Sequence, residues 1–208
     1  MDLHLIKQFV RSFSGEVYGF AELIQYAILL PIVEVDGELS VLFEVRSREL
    51  RRQPGEICFP GGKVDPEDPD ERFCAVRETS EELGIEQSQI EVIGGLGVLV
   101  PPVQIAIHTF VGYIRDLQAI QVNEAEVAEV FTVPLQYLLN QEPEAHELQL
   151  GLTPVEDFPF ELIPGGKSYK FRERRIPEYF YFYQDRIIWG LTARILKQFL
   201  DKLKKEMI

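Results

Sequence analysis

The chain has 208 residues, 46% of them hydrophobic, enough for one globular domain with a packed core. Its 34 Asp and Glu against 21 Lys and Arg give a net charge of −13, which disfavours nucleic-acid binding, since that draws on basic surface. No apolar run approaches the ~18 residues of a membrane span, Met1 to Lys7 lacks the continuous apolar segment of a targeting signal, and Cys58 and Cys74 make neither a disulfide framework nor a metal quartet. A cytoplasmic protein with no membrane or nucleic-acid partner is expected.

At the N-terminus, apolar residues at 3, 6, 9, 10 and 13 have the spacing of an amphipathic helix over Leu3–Phe13, within a helical extension of residues 1–25. Tyr26–Val35 is rich in Ile, Leu and Val and predicts a strand, with Asp36-Gly37 as a hairpin turn into Leu39–Arg46. Phe59-Pro60-Gly61-Gly62 ends a further strand, and a loop from Lys63 to Asp70 leads into a helix. Gly84 suits the position just past that helix's end. Ile90–Val100 and Ile105–Ile114, separated by Pro101-Pro102, predict two more strands. Val127–Val133 predicts another, followed by a short helix over Pro134–Leu139. Residues 140–175, with Pro143, Pro154, Pro159 and Gly165-Gly166, are less regular, show no core of their own and read as an insertion or lid-like segment, not a second domain. Tyr179–Tyr183 predicts a strand. Trp189–Met207 predicts a long closing helix whose Lys202, Lys204 and Lys205 complement its dipole. Strands mixed with a few helices give an α/β class.

The helix after Asp70 carries Glu78, Glu81 and Glu82. At i, i+3 and i+4 these carboxylates share a face and repel one another. On a wheel of about 100° per residue with Glu78 at 0°, Glu82 falls near 40° and Glu81 near 300°. Phe73, Val76, Ser80 and Leu83 gather at roughly 140–220° and read as the buried side. A solvated acidic face would place Lys or Arg four residues after each Glu; here those positions hold Glu82, Ile85 and Glu86. Only Arg77, four before Glu81, offers a local counter-charge. The face fits a divalent-metal site or a solvated charge run about equally.

What lies upstream decides between them. Gly61 and Gly62 allow tight backbone geometry and close approach by a ligand. Gly62 through Ile85 resembles the Nudix box, the loop–helix signature of hydrolases that cut a nucleoside diphosphate linked to another group. Arg77, Glu78, Glu81, Glu82, Gly84 and Ile85 match its pattern. Asp68 stands where the box has Glu, one extra residue separates it from Arg77, and Thr79 replaces an apolar residue. Just before the box, Arg46-Ser47, Arg51, Gly55 and Phe59-Pro60-Gly61-Gly62 have the spacing of the signature of the coenzyme A pyrophosphatase subgroup, with Glu44 where that signature has Thr. Ile188 to Ala193 and the one-residue lengthening of the box look like the same subgroup. From the residues themselves, Arg46, Arg48, Arg51 and Arg52 against the single acid Glu49 suit a ligand with several phosphates, which guanidinium forks bind bidentately.

The resemblance implies one Nudix domain over 1–208, an α/β/α sandwich around a mixed β-sheet. It implies Mg²⁺ or Mn²⁺, hard cations suited to carboxylate oxygens, held mainly by Glu78 and Glu82, with Glu81 coordinating directly or through water. The general base is Glu81 or Glu126. Arg77 is expected to orient the glutamates, and Arg46, Arg51, Gly61 and Gly62 to meet substrate. The implied reaction is hydrolysis of coenzyme A or a derivative to 4′-phosphopantetheine and adenosine 3′,5′-bisphosphate. The alternatives are ADP-ribose, a dinucleoside polyphosphate or a dNTP as substrate, or a ligand-sensing module without catalysis. A homodimer stands as an option by family analogy alone.

Overall fold

A tight hairpin opens the sheet. Strands β1 (Ile24–Val35) and β2 (Glu38–Arg46) pair antiparallel from Ile32↔Val41 to Val35↔Glu38. Between them Asp36 and Gly37 both take positive φ, 52° and 83°, as a type I′ turn requires. The computed structural model describes His4 and residues 17–207. The helix expected over Leu3–Phe13 lies, His4 apart, outside the described residues.

The chain divides into two compact units, Met1–Leu30 with Pro60–Gln121, and Pro31–Phe59 with Val122–Ile208. In the first, the N-terminal half of β1 pairs with β4 (Gly61–Lys63), in register Tyr26↔Lys63 to Ile28↔Gly61, and neighbours β6 (Ile105–Ile114). β6 pairs in turn with β5 (Ile90–Leu99). Helix α1 (Glu71–Leu83) packs on β4, β5 and β6. It starts where the Asp70 side chain accepts a hydrogen bond from the Phe73 N–H at 2.7 Å. It ends at Gly84, whose φ of 62° suits glycine. A Cβ there would also strike the Gln121 carbonyl.

In the second unit β2 pairs with β3 (Ile57–Cys58) and with β7 (Val127–Pro134), and a register shift on the β7 side falls between Val45 and Arg46. Helix α2 (Leu135–Asn140) packs on β2 and β7. Strands β8 (Glu144–Leu150), β9 (Arg174–Tyr183) and β10 (Arg186–Ile188) form a three-stranded antiparallel sheet, against which α3 (Gly190–Glu206) packs through β9. Each unit is therefore a sheet with helices packed on it, the α/β class expected.

Two expectations are corrected. Residues 140–175 are not irregular throughout, because β8 lies among them. All seven of its residues are exposed, so the strand has no apolar face and no alternation to read. Backbone pairing with β9 and an Arg175–Glu147 contact of 3.1 Å hold it. Pro177 fits inside β9 because β10 pairs only with Tyr181–Tyr183, leaving that part of the strand bonded on the β8 side.

The second correction concerns the rotation of α1. Its buried residues are Cys74, Ala75, Thr79, Glu82 and Leu83, whereas Phe73 is 39% exposed. On the same wheel these five span from about −40° to 140°, a face that contains Glu78 and Glu82. Small side chains let the helix approach the sheet closely there, and the Thr79 hydroxyl is satisfied by the Ala75 carbonyl at 2.6 Å.

Candidate active site

The first unit gathers Gly61, Gly62, Asp68, Arg77, Glu78, Glu81 and Glu82 around the start of β4 and the inward face of α1. Gly61 lies against β1 so tightly that a Cβ would meet the Ala27 carbonyl and sit 2.6 Å from Ile28 Cα. Its φ of 149° also favours glycine. That approach aims its N–H at Glu82, whose Oε2 accepts the hydrogen bond at 2.8 Å. Glu82 is 4% exposed. Gly62 makes room for the second carboxylate, since a Cβ on it would fall 2.5 Å from each Glu78 oxygen.

Arg77 ties the remaining acids together. Its Nε and Nη2 donate to the two oxygens of Asp68 at 2.9 and 3.0 Å, a bidentate pair. Its Nη1 lies 2.9 Å from Glu78 Oε1 and donates to Glu81 Oε2 at 3.2 Å. The Asp68 side chain is nearly buried and also accepts from the Asp65 N–H at 2.9 Å. The Arg77 hydrogen bonds hold its carboxyl down at about 2, outweighing the burial that opposes them. The same bonds push Arg77 further above its usual value. Beside them, burial and then the Asp68 charge push the Cys74 thiol up to about 12, so it stays protonated and inert.

The Asp68–Arg77 pair has a measurable consequence for acid stability. Asp68 titrates at about 2 when folded against an ordinary 3.8, so its contribution is complete above 3.8 and disappears as pH falls through about 2. Urea unfolding of the wild type and of Asp68→Asn should therefore show the wild type more stable at pH 6, with the two curves converging towards pH 2. A gap that stays constant over that range would remove Asp68 as the source.

The donor set suits a hard divalent cation. The Glu78 carboxylate lies against Gly62 and that of Glu82 against the Gly61 N–H, with Glu81 at the exposed edge, and carboxylate oxygens are the ligands such a cation takes. Among the described residues no group of three or more His, Cys, Asp or Glu is gathered to hold a metal ion by itself. Glu81 and Glu78 turn towards Arg77, and Glu82 towards Gly61.

Arg46, Arg51 and Glu126 belong to the second unit. The Arg46 backbone bonds Glu56 and Gly55 at 2.9 and 3.0 Å, closing the loop that carries the exposed Arg51. The exposed Glu126 ends a turn from Asn123, and its carbonyl accepts from the Ser47 N–H at 2.8 Å, which fixes its backbone beside the end of β2. Two residues stand out here that motif spacing did not assign. Asp68 is the bidentate partner of Arg77 despite its displaced position. Glu44 is a charged residue inside the apolar run Val41–Val45, and that interruption was its signal.

Comparison with known families decides the grouping: the NUDIX domain model matches residues 24–164. The chain belongs to the Nudix family. It is 33% identical to Nudix hydrolase 3 of Caenorhabditis elegans over 186 residues, 87% of this chain and 74% of that one. It is 39% identical over 130 residues to the peroxisomal coenzyme A diphosphatase of Mus musculus, 62% of this chain and 55% of that one. A mitochondrial coenzyme A diphosphatase of Homo sapiens is 36% identical over 123 residues, 58% of this chain and 52% of that one. The chain thus spans about half the length of the two coenzyme A diphosphatases. Nudix hydrolases generally require divalent metal ions. The expected cytoplasmic location meets relatives named for the peroxisome and the mitochondrion, and among the described residues no helix is long and apolar enough to cross a membrane.

Proposed function

We propose that this Nudix protein hydrolyses the diphosphate bond of coenzyme A or a derivative, giving 4′-phosphopantetheine and adenosine 3′,5′-bisphosphate. The observation that carries the hydrolase reading is the seating of the Glu78 and Glu82 carboxylates against the Gly61-Gly62 backbone. Support for the substrate comes from the Arg46–Gly62 spacing and from the names of the mouse and human relatives.

Glu78 and Glu82, with Glu81 at the edge, would hold Mg²⁺ or Mn²⁺, which when bound polarises a phosphoryl oxygen and acidifies a coordinated water. Arg77 fixes the directions of Glu78 and Glu81. Arg46 and Arg51 take phosphate oxygens, while Gly61 and Gly62, expected to meet substrate, give their side-chain space to β1 and to the Glu78 carboxylate. Glu81 or Glu126 accepts the proton of the attacking water. Loss of that base should lower kcat by roughly 10²–10⁴-fold and erase the acidic limb of the pH–rate profile. Comparing Glu81→Gln with Glu126→Gln assigns the role, and if neither behaves so, the base is a third group.

Product analysis by mass spectrometry on coenzyme A, acyl and oxidised coenzyme A, ADP-ribose, a dinucleoside polyphosphate and a dNTP tests the substrate, with Mg²⁺ and Mn²⁺ in parallel. Fastest turnover is expected on a coenzyme A form. Faster cleavage of ADP-ribose would move the chain to another Nudix activity, and tight binding without turnover would make it a sensing module. Cys58 and Cys74, neither of them in a disulfide, support a reducing compartment, here taken as the cytoplasm. The acidic surface supports a small-molecule partner without nucleic acid, and a homodimer is left to a solution mass measurement.

A further inference from the structure

Glu44 sits two residues before the end of β2 and is 1% exposed, opposite Cys58 of β3 and Val130 of β7. Its Oε1 accepts a hydrogen bond from the Cys58 thiol at 3.0 Å, while its Oε2 is buried with no partner. Two residues on, and so on the same side of the strand, Arg46 Nε is also buried without a partner. Unmatched buried polar atoms are costly and therefore rare. Two of them at i and i+2 of one strand are a built feature.

The protonation of Glu44 determines what the pair can bind. Burial is the largest influence and pushes its carboxyl up to about 7. Cys58 on β3 and Arg46 on its own strand oppose this, and the negative charge of Glu126, just before β7, adds to it. β1 and helix α2 also pack on β2: β1 brings Glu34, opposite Leu39, and α2 carries no charged side chain. Because Oε1 already accepts from the thiol, the proton of the neutral acid belongs on Oε2, which then becomes a donor. Oε2–H and Arg46 Nε–H are thus two buried donors awaiting an acceptor. An oxyanion with several lone pairs satisfies both, and the guanidinium charge selects a phosphoryl oxygen over a neutral one.

We propose that Glu44 and Arg46 form a two-donor seat for a phosphoryl oxygen of the substrate, with Glu44 a binding and specificity-determining residue. The seat rests on the diphosphate-hydrolase reading above. Once Glu44 ionises it loses its donor and turns a negative charge towards the oxyanion. Substrate binding then weakens while the bound complex still reacts.

The test measures KM and kcat of the full chain on coenzyme A from pH 6 to 9, for wild type, Glu44→Gln and Glu44→Leu. Wild-type KM should be level below pH 7 and rise above it, tending to about tenfold per pH unit, with no matching fall in kcat. Glu44→Gln keeps an N–H donor in the same place and cannot ionise, so its KM should lack this rise. Glu44→Leu, lacking the donor, should show a raised KM at every pH. A rise in Glu44→Gln equal to the wild type's, or a wild-type KM independent of pH, overturns the seat and leaves the pair holding an ordered water. If Glu44→Leu does not fold, the Gln comparison decides alone. Should coenzyme A not be turned over, calorimetric binding of ADP-ribose at pH 6.5 and 8.5 separates the two ideas. Weakening in wild type but not in Glu44→Gln keeps the seat and discards coenzyme A as substrate. Equal affinities in both proteins discard the seat.

Discussion

Replacing Glu82 with glutamine is expected to lower kcat on the order of 10²–10³-fold, the scale on which one preorganised electrostatic group acts in a transition state, while leaving the fold in place. The structure separates these two effects. Glu82 contributes to the fold as a buried acceptor: its Oε2 takes the Gly61 N–H at 2.8 Å. A glutamine carbonyl oxygen can take the same bond from the same place, so the close approach of β4 to α1 survives and the melting temperature should stay within a few degrees. What glutamine cannot supply is the charge. A neutral amide beside Glu78 is a poor ligand for a hard dication. Metal affinity should fall together with kcat, and raising the metal concentration should recover only part of the rate. Near-wild-type turnover in a folded Glu82→Gln protein would remove Glu82 from the ligand set. Glu81→Gln is the informative contrast, because the Glu81 side chain is 57% exposed and contacts Arg77. Its loss leaves no buried polar group unmatched.

Much of this is legible in the sequence. The strands from β1 to β2 and from β5 to β7 fall within a few residues of where apolar runs, Asp36-Gly37 and Pro101-Pro102 put them. Gly84 marked the end of α1 because an αL residue there is cheap only for glycine. The glutamates were legible as a set because their spacing fixes a shared face. Which way that face turns was not. A wheel assumes that large apolar residues point inward; Leu83 does, but Phe73 is exposed while Cys74, Ala75 and Thr79 are buried. The reason is local. Glu82 can be buried because a backbone N–H is delivered to it, and the small Cys74, Ala75 and Thr79 let the helix come close enough for that bond. β8 was illegible for a different reason, since a strand exposed on both faces leaves no pattern in the sequence. Asp68 illustrates a third limit. Spacing alone made its role uncertain, because one residue had been inserted before Arg77. The loop absorbs the insertion, the Asp65 N–H holds Asp68 in place, and the shorter acid still meets Arg77 with both oxygens.

The two neighbouring glycines of β4 should respond in opposite ways to the same methyl group, and Gly62→Ala carries the larger functional effect. Its added Cβ would collide with the carboxylate of Glu78, the far end of a flexible side chain. A flexible end can swing aside, and Gly62 is not among the glycines at positive φ, so the cost to stability should be small. The carboxylate cannot swing aside and keep its position, however. A displacement of about 1 Å at a catalytic group can cost on the order of 10²-fold in rate, and a loss of that size in kcat is expected for a protein that still unfolds near the wild-type temperature. Gly61→Ala meets backbone instead, the Ala27 carbonyl and Ile28 Cα, at a φ of 149°. Neither neighbour can move without breaking the β1–β4 pairing, so this variant should lose stability first, by about 2 kcal/mol or more. Thermal unfolding and kcat measured on both variants separate the two cases. If Gly62→Ala lost its fold while Gly61→Ala lost only its rate, the assignment of Gly62 as the space kept for Glu78 would have to be abandoned.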